Sequence, residues 1–269
     1  MAVKIEASES PRAPWPSAVA AAFDREAEVY DDGFGRNPVG LVFRHVFQER
    51  LRRLVPSGAR LLDLGCGTGE DARAFASLGY AVHAIDAAPA MIERARAKSA
   101  GFPEGRLRFE RRAVEDVAGA GEGFDGAYSD FGALNCADLG ALGAGLARAL
   151  RPGAPVLLSL MGRWPLPEIA ERALTGRGVA RGRSAPQIAG LPVRVEYPTP
   201  AEARARLGPA FEWSGGFALG VLVPGPGHAP WVSRNPQAFG FLAMLEGFVR
   251  GLPVLRELGD HVVLEGRRR

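Results

Sequence analysis

Cysteine is scarce: Cys66 and Cys136 are the only two in 269 residues. They are too few for a disulfide framework or for four zinc ligands, and a reducing cytoplasm is the expected location. Long apolar runs are also missing. The stretch around Val156–Met161 is among the longest, far short of the ~20 residues that cross a bilayer, so no membrane partner is expected. The N-terminal MAVKIEASESPRAPWPS has acids and three prolines where a signal peptide has its apolar core. Residues 1–16 therefore read as a loose leader. Lysine is nearly absent, with only Lys4 and Lys98, and the other basic residues are arginines. Beside abundant Ala, Gly and Pro, that skew reflects a GC-rich genome more than a function. The pI of 9.2 invites a nucleic-acid partner, but the formal net charge is only +3. Residues 162–194 alone hold six arginines against Glu168 and Glu171, or +4, so the excess is local. It is not a basic stripe along the chain, and no nucleic acid is expected. With 47% hydrophobic and 23% charged residues, the composition excludes a disordered or fibrous chain.

Periodicity shows the organisation. Ser17 is placed to cap a helix to about Tyr30, and Asn37–Pro38 opens an amphipathic helix to about Val55. RLLDL (60–64), AVHAI (81–85), LRFER (107–111), FDGAYS (124–129) and VLLSL (156–160) read as strands. Helices over 70–78, 89–99 and 139–150 alternate with them, and Gly79 stops the first. This rhythm calls for a parallel sheet with right-handed crossovers. After Met161 it breaks. Residues 162–192 are rich in Arg, Gly and Pro. VRVEY (193–197), FALGVLV (217–223) and HVVLE (261–265) then read as strands, with helices from Thr199–Pro200 and over 236–250. Residues 162–192 and 224–258 read as insertions placed to cover a site.

The chemistry-bearing segment is LLDLGCGTGEDARAF (61–75). A strand, three glycines (Gly65, Gly67, Gly69) and a helix make a turn where a ligand approaches bare backbone. A P-loop would end in Gly-Lys-Ser/Thr, and no lysine is here. The dinucleotide fingerprint would need glycine at position 70, which is Glu70, and has no use for Asp63 two residues before the first glycine.

D-L-G-C-G-T-G (63–69) resembles, residue for residue, the first motif of class I S-adenosylmethionine-dependent methyltransferases. The resemblance implies that Asp63, Gly65, Cys66, Gly67 and Gly69 hold this cofactor. Asp86, at the end of the next strand, would accept both ribose hydroxyls, as the acid of dinucleotide folds does. The adenine would lie against Ala87 and Met91, then Ala113, Val114 and Glu115. FDGAYSDFGALN (124–135) resembles the family's fourth motif, whose end, Asp130 and Phe131 here, faces the methionine moiety and the methyl. FDREAEVYDD (23–32) resembles the N-terminal segment of small-molecule enzymes near the quinone-biosynthesis C-methyltransferases. That places Tyr30 over the cofactor and directs Arg44 to the methionine carboxylate. GDHVVLE (259–265) resembles the last, antiparallel strand, so the likeness covers about 20–161 and this strand.

The implied fold is α/β: a doubly wound seven-stranded sheet, mostly parallel with the last strand antiparallel, plus an N-terminal helical cover and an inserted lid. Residues 17–161 would form the core, 162–192 the lid, and 193–269 the rest of the sheet with a helical insertion. The implied activity is methyl transfer to a small-molecule acceptor, anionic or aromatic, at oxygen, nitrogen or carbon. It leaves S-adenosylhomocysteine and needs no metal.

Asp130, His228 and His261 are candidates for a general base, without a dyad to choose among them. His45 reads as structural. Cys66 suits the loop by its small size, and Cys136 lacks the preceding proline of cytosine C5-methyltransferases. Trp164, Trp213 and Trp231 line either an acceptor pocket or the core. The arginines of 162–194 either receive an anionic acceptor or are solvated. Ser-Asp-Phe-Gly (129–132) lacks the Pro-Pro-aromatic of enzymes that methylate amino groups of DNA bases. Two rivals stay open: an RNA or protein methyltransferase, and a cofactor-binding regulator without catalysis. An apolar pocket above Asp130 favours the small-molecule enzyme, a broad basic face the first rival, and a plugged site the second.

Overall fold

A computed structural model describes residues 15–31, 37–176 and 187–269. Strands β1 (Arg60–Leu64), β2 (Ala81–Asp86), β3 (Leu107–Arg111), β4 (Gly126–Ser129) and β5 (Pro155–Met161) pair in parallel. β9 (His261–Arg268) then runs antiparallel between β5 and β8 (Phe211–Leu219). The seven-stranded order is β3-β2-β1-β4-β5-β9-β8. β1 is apolar almost throughout because both its faces are covered. Leu61 faces the layer with Phe43, Phe75 and Tyr128, whereas Leu62 and Leu64 face that with Leu142, Leu146 and Phe211. The order reverses between β1 and β4, and at such a switch point the strand ends part and leave a crevice.

Local chemistry sets the helices. α1 spans Trp15–Glu26 and α2 spans Pro38–Leu54. Asn37 Oδ1 accepts from the Val39 and Gly40 backbone N–H groups, and Pro38 fills the first turn. α3 (Glu70–Ser77), α4 (Pro89–Ala97) and α5 (Leu139–Ala149) are the crossovers. Past β5 come α6 (Leu166–Leu174), the two-residue strands β6 (Gln187–Ile188) and β7 (Leu191–Pro192), and α7 (Pro200–Leu207), which Thr199 and Glu202 close with a capping box. α8 (Ala229–Arg234) and α9 (Pro236–Val249) separate β8 from β9.

Three expected elements differ. α1 begins at Trp15, so Ser17 lies inside the helix, and it ends at Glu26; the rest of the leader, residues 1–14, lies outside the described residues. VRVEY is no strand. Val193 is buried there, and Asn135 holds the segment through the Glu196 N–H and carbonyl at 2.8 and 2.7 Å. β8 runs over 211–219, not 217–223, because Gly220 turns at φ +75° and the Glu246 carboxylate takes the next backbone donors. These are the N–H groups of Gly220, Leu222 and Val223, at 2.5, 3.0 and 2.9 Å.

Candidate functional site

The carboxyl ends of β1, β2 and β4 open into a cavity of about 530 Å³. Its floor is the glycine loop. Gly65, Gly67 and Gly69 all have positive φ (74°, 52° and 82°), which a side chain would strain. A Cβ on Gly65 would stand 2.4 Å from Ala133 Cβ, and one on Gly69 2.7 Å from Phe109 Cζ. Gly67 differs: its nearest neighbour would be Tyr30 Cε1 at 3.8 Å, so this position faces open cavity beneath Tyr30.

Asp86 ties the loop to β2. Its Oδ2 accepts from the Gly67 N–H at 2.8 Å and its Oδ1 from the Ala88 N–H at 2.9 Å. Each oxygen keeps lone-pair capacity toward the cavity. Burial pushes the Asp86 carboxyl above the usual carboxylate range. Asp130, at the end of β4, is buried. Its Oδ1 accepts from the Phe131 N–H at 2.8 Å, while Oδ2 has no hydrogen-bond partner. Burial, then the nearby Asp71, holds this carboxyl well above its ordinary value. Phe131 has φ +55°, a left-handed conformation rare outside glycine and often found at functional sites.

Of the residues expected in the site, Tyr30, Gly65, Gly67, Asp86 and Ala87 line the cavity, as do Met91, Val114, Glu115, Asp130 and Phe131. Five do not. Asp63 lies beneath it and accepts from the Tyr128 hydroxyl at 3.0 Å; burial raises its pKa well above the ordinary value. Arg44 is not in the lining: it is bonded to Asp71 at 2.5 Å and stacked over the Phe131 ring at 4.9 Å. Burial opposes its charge, yet Asp71 and Asp130 keep the guanidinium above its usual pKa. Cys66 is turned onto the Gly67 carbonyl, and burial raises its thiol pKa well above the usual value. Gly69 caps α3, and Ala113 lines a shallow neighbouring depression with Ala87.

Among the base candidates, Asp130 alone lines the cavity. His228 is half-buried against Glu171 at 3.2 Å, and His261 is buried beside Asp260 and in edge contact with the Phe131 ring. His45 is exposed on α2. None of the three candidate tryptophans lines the cavity: Trp213 packs on the core, Trp164 borders another pocket, and Trp231 is exposed on α8. The described arginines of the arginine-rich stretch are bonded within the protein. Arg163 bonds the Tyr197 carbonyl and Glu202, and Arg194 bonds Glu196. Arg177, Arg181 and Arg183 lie outside the described residues.

Sequence reasoning missed the wall opposite the loop. Val19, Phe23 and Glu26 project from one face of α1 at a spacing of four and three, which was the available signal. Cys136, in the helical turn that follows β4, and Met161, at the end of β5, join with Ile188 and Val195. Burial pushes the Cys136 thiol up to about 12, which removes it as a nucleophile at neutral pH.

The sheet order, with its antiparallel β9, is that of a Rossmann-like methyltransferase α/β fold. Residues 61–153 match a family described as a methyltransferase domain, and the D-L-G-C-G-T-G motif (63–69) lies within that match. The chain is 33% identical over 156 residues to a malonyl-[acyl-carrier protein] O-methyltransferase of Serratia marcescens, covering 57% of this chain and 56% of that protein. It is 35% identical over 121 residues to a ubiquinone biosynthesis O-methyltransferase of Xanthomonas axonopodis pv. citri, covering 42% and 47%. The chain thus spans about half the length of the curated relatives it matches. Its fold is shared with the magnesium protoporphyrin IX methyltransferase of Synechocystis, solved with bound S-adenosylmethionine. The TM-score is 0.56 at 15% identity, covering 97% of this chain and all of that one (100%). No helix among the described residues is long and apolar enough to cross a membrane.

Proposed function

We propose that the chain transfers a methyl group from S-adenosylmethionine to a small-molecule acceptor. The observation that carries this is one cavity lined together by the bare Gly67 backbone and the Asp86 and Asp130 carboxyl residues. The residues fit the cofactor chemically. Acids suit its sulfonium and ammonium charges. Asp86 receives the ribose hydroxyls, Met91 and Ala87 flank the adenine, and Tyr30 closes over the loop. Glycine at 67 lets the ligand approach the backbone, while Asp63 and Arg44 brace the loop and Phe131 from behind.

When bound, S-adenosylmethionine supplies an electrophilic methyl on a good leaving group. The acceptor's proton would leave to solvent or to a nearby carboxylate. The chain's task is to hold the acceptor behind the methyl and keep water out. The α1 face and the segment 187–195 cover the cavity for this purpose, the latter as part of the expected lid. No group of three or more potential metal ligands occurs among the described residues, and the displacement calls for none.

The test is transfer of tritiated methyl from S-adenosylmethionine into a cell extract. Label in the small-molecule fraction, lost with Asp86→Ala, is expected. Label in RNA or protein instead, or none above the variant, overturns the proposal.

A further inference from the structure

We propose that the acceptor is an uncharged, largely apolar molecule carrying a hydroxyl or amino group, whose hydrogen Glu26 receives. This rests on the cofactor assignment made above. Away from the glycine loop, the cavity wall is an apolar cluster in which Val19 of α1 packs with Cys136, Ile188 and Val195, over buried Ala22 and Val193. Phe23 extends that wall. Such a surface selects an apolar skeleton.

The charges of the lining decide the rest. Glu26, Asp86, Glu115 and Asp130 line the cavity, and no Lys, Arg or His among the described residues does. Three of these acids are already engaged: Asp86 with Gly67 and Ala88, Asp130 with Phe131, and Glu115 with the Asp138 N–H at 3.0 Å. Half-buried Glu26 has no hydrogen bond or ion pair through its carboxylate among the described residues. A carboxylate or phosphate on the acceptor would enter beside Glu26 and Glu115, with no Lys, Arg or His among the described lining residues to receive it. Arg163 and Arg194 do not relieve this, because each is bonded to its own glutamate. A neutral hydroxyl or amine instead gives Glu26 the donor it lacks.

Matched probes test this by binding, without turnover. The protein is saturated with S-adenosylhomocysteine and titrated calorimetrically with 2-naphthalenemethanol and with 2-naphthoate, which share a ring and differ in charge. The alcohol should bind at least ten times more tightly. Glu26→Gln should shrink that ratio and Glu26→Lys reverse it; a melting curve identifies a variant that fails to fold, and the other then carries the comparison. Equal or tighter binding of the naphthoate overturns the proposal. So does no binding of the alcohol, or a ratio that neither folded variant moves. Failure of S-adenosylhomocysteine itself to bind sinks the cofactor assignment and this inference with it, whereas its binding alongside an anion preference sinks this inference alone.

Discussion

Replacing Asp86 by alanine separates two duties that the structure gives one carboxylate. In the free protein it holds the Gly67 and Ala88 N–H groups at 2.8 and 2.9 Å. Without it, water entering the cavity can satisfy Gly67, which lines it, but Ala88 is buried. A buried donor left unpaired costs about 1–3 kcal/mol. Removing a carboxyl whose proton affinity burial has raised offsets part of that. The net loss should be about 1–2 kcal/mol, or roughly 3–6 °C in melting temperature for a chain of this size. Binding should suffer more. Charge-assisted bonds contribute about 1.5–3 kcal/mol each, and with water replacing part of two of them, about 3 kcal/mol is lost, close to 100-fold in affinity. Calorimetric titration with S-adenosylhomocysteine, well below the melting temperature, reads this directly. Affinity within threefold of the unmodified protein would refute the ribose assignment, whatever the melting temperature does.

Asp130→Asn should raise the melting temperature of the free protein, and more at pH 8 than at pH 5. Asp130 has a folded pKa well above the unfolded one, so its contribution is favourable below the usual carboxylate pKa of about 4 and is lost as pH rises through the folded value. A gain that does not grow with pH contradicts this. Gly65→Ala and Gly67→Ala share the cost of a positive φ, but only the first drives a Cβ to 2.4 Å from Ala133. Urea denaturation should therefore show Gly65→Ala the more damaging by at least about 1 kcal/mol; equal losses would refute the difference. Glu246→Ala frees three backbone donors at the end of β8. It should cost about 3 kcal/mol or more in the same assay, and a loss below about 1 kcal/mol would show that α9 is held otherwise.

The part of the fold that repeats was legible. Strand, turn and helix recur up to Met161, and each signal there is local: Asn37 with Pro38, the glycines after β1, Pro89 in the first turn of α4. Asp86 and Asp130 reach the cavity because each stands at a strand's end beside the crevice. What failed depended on distant partners. Arg44 carried no mark of its bond to Asp71, 27 residues away. VRVEY has strand composition but is claimed by Asn135, and β8 stops where Glu246, from a later helix, captures the next N–H groups. The α1 wall was only half visible. Its spacing showed a helix face, but not that Val19, Phe23 and Glu26 would turn toward the cavity instead of the core.

The central claim is that this cavity holds S-adenosylmethionine, with Asp86 and Asp130 as its anchors. Calorimetric titration with S-adenosylmethionine and with S-adenosylhomocysteine tests it most directly. The account predicts one site per chain, micromolar binding of both ligands, and a collapse of affinity in Asp86→Ala. Absence of heat with either ligand, in protein that melts cooperatively, would contradict it and leave the fold without its cofactor.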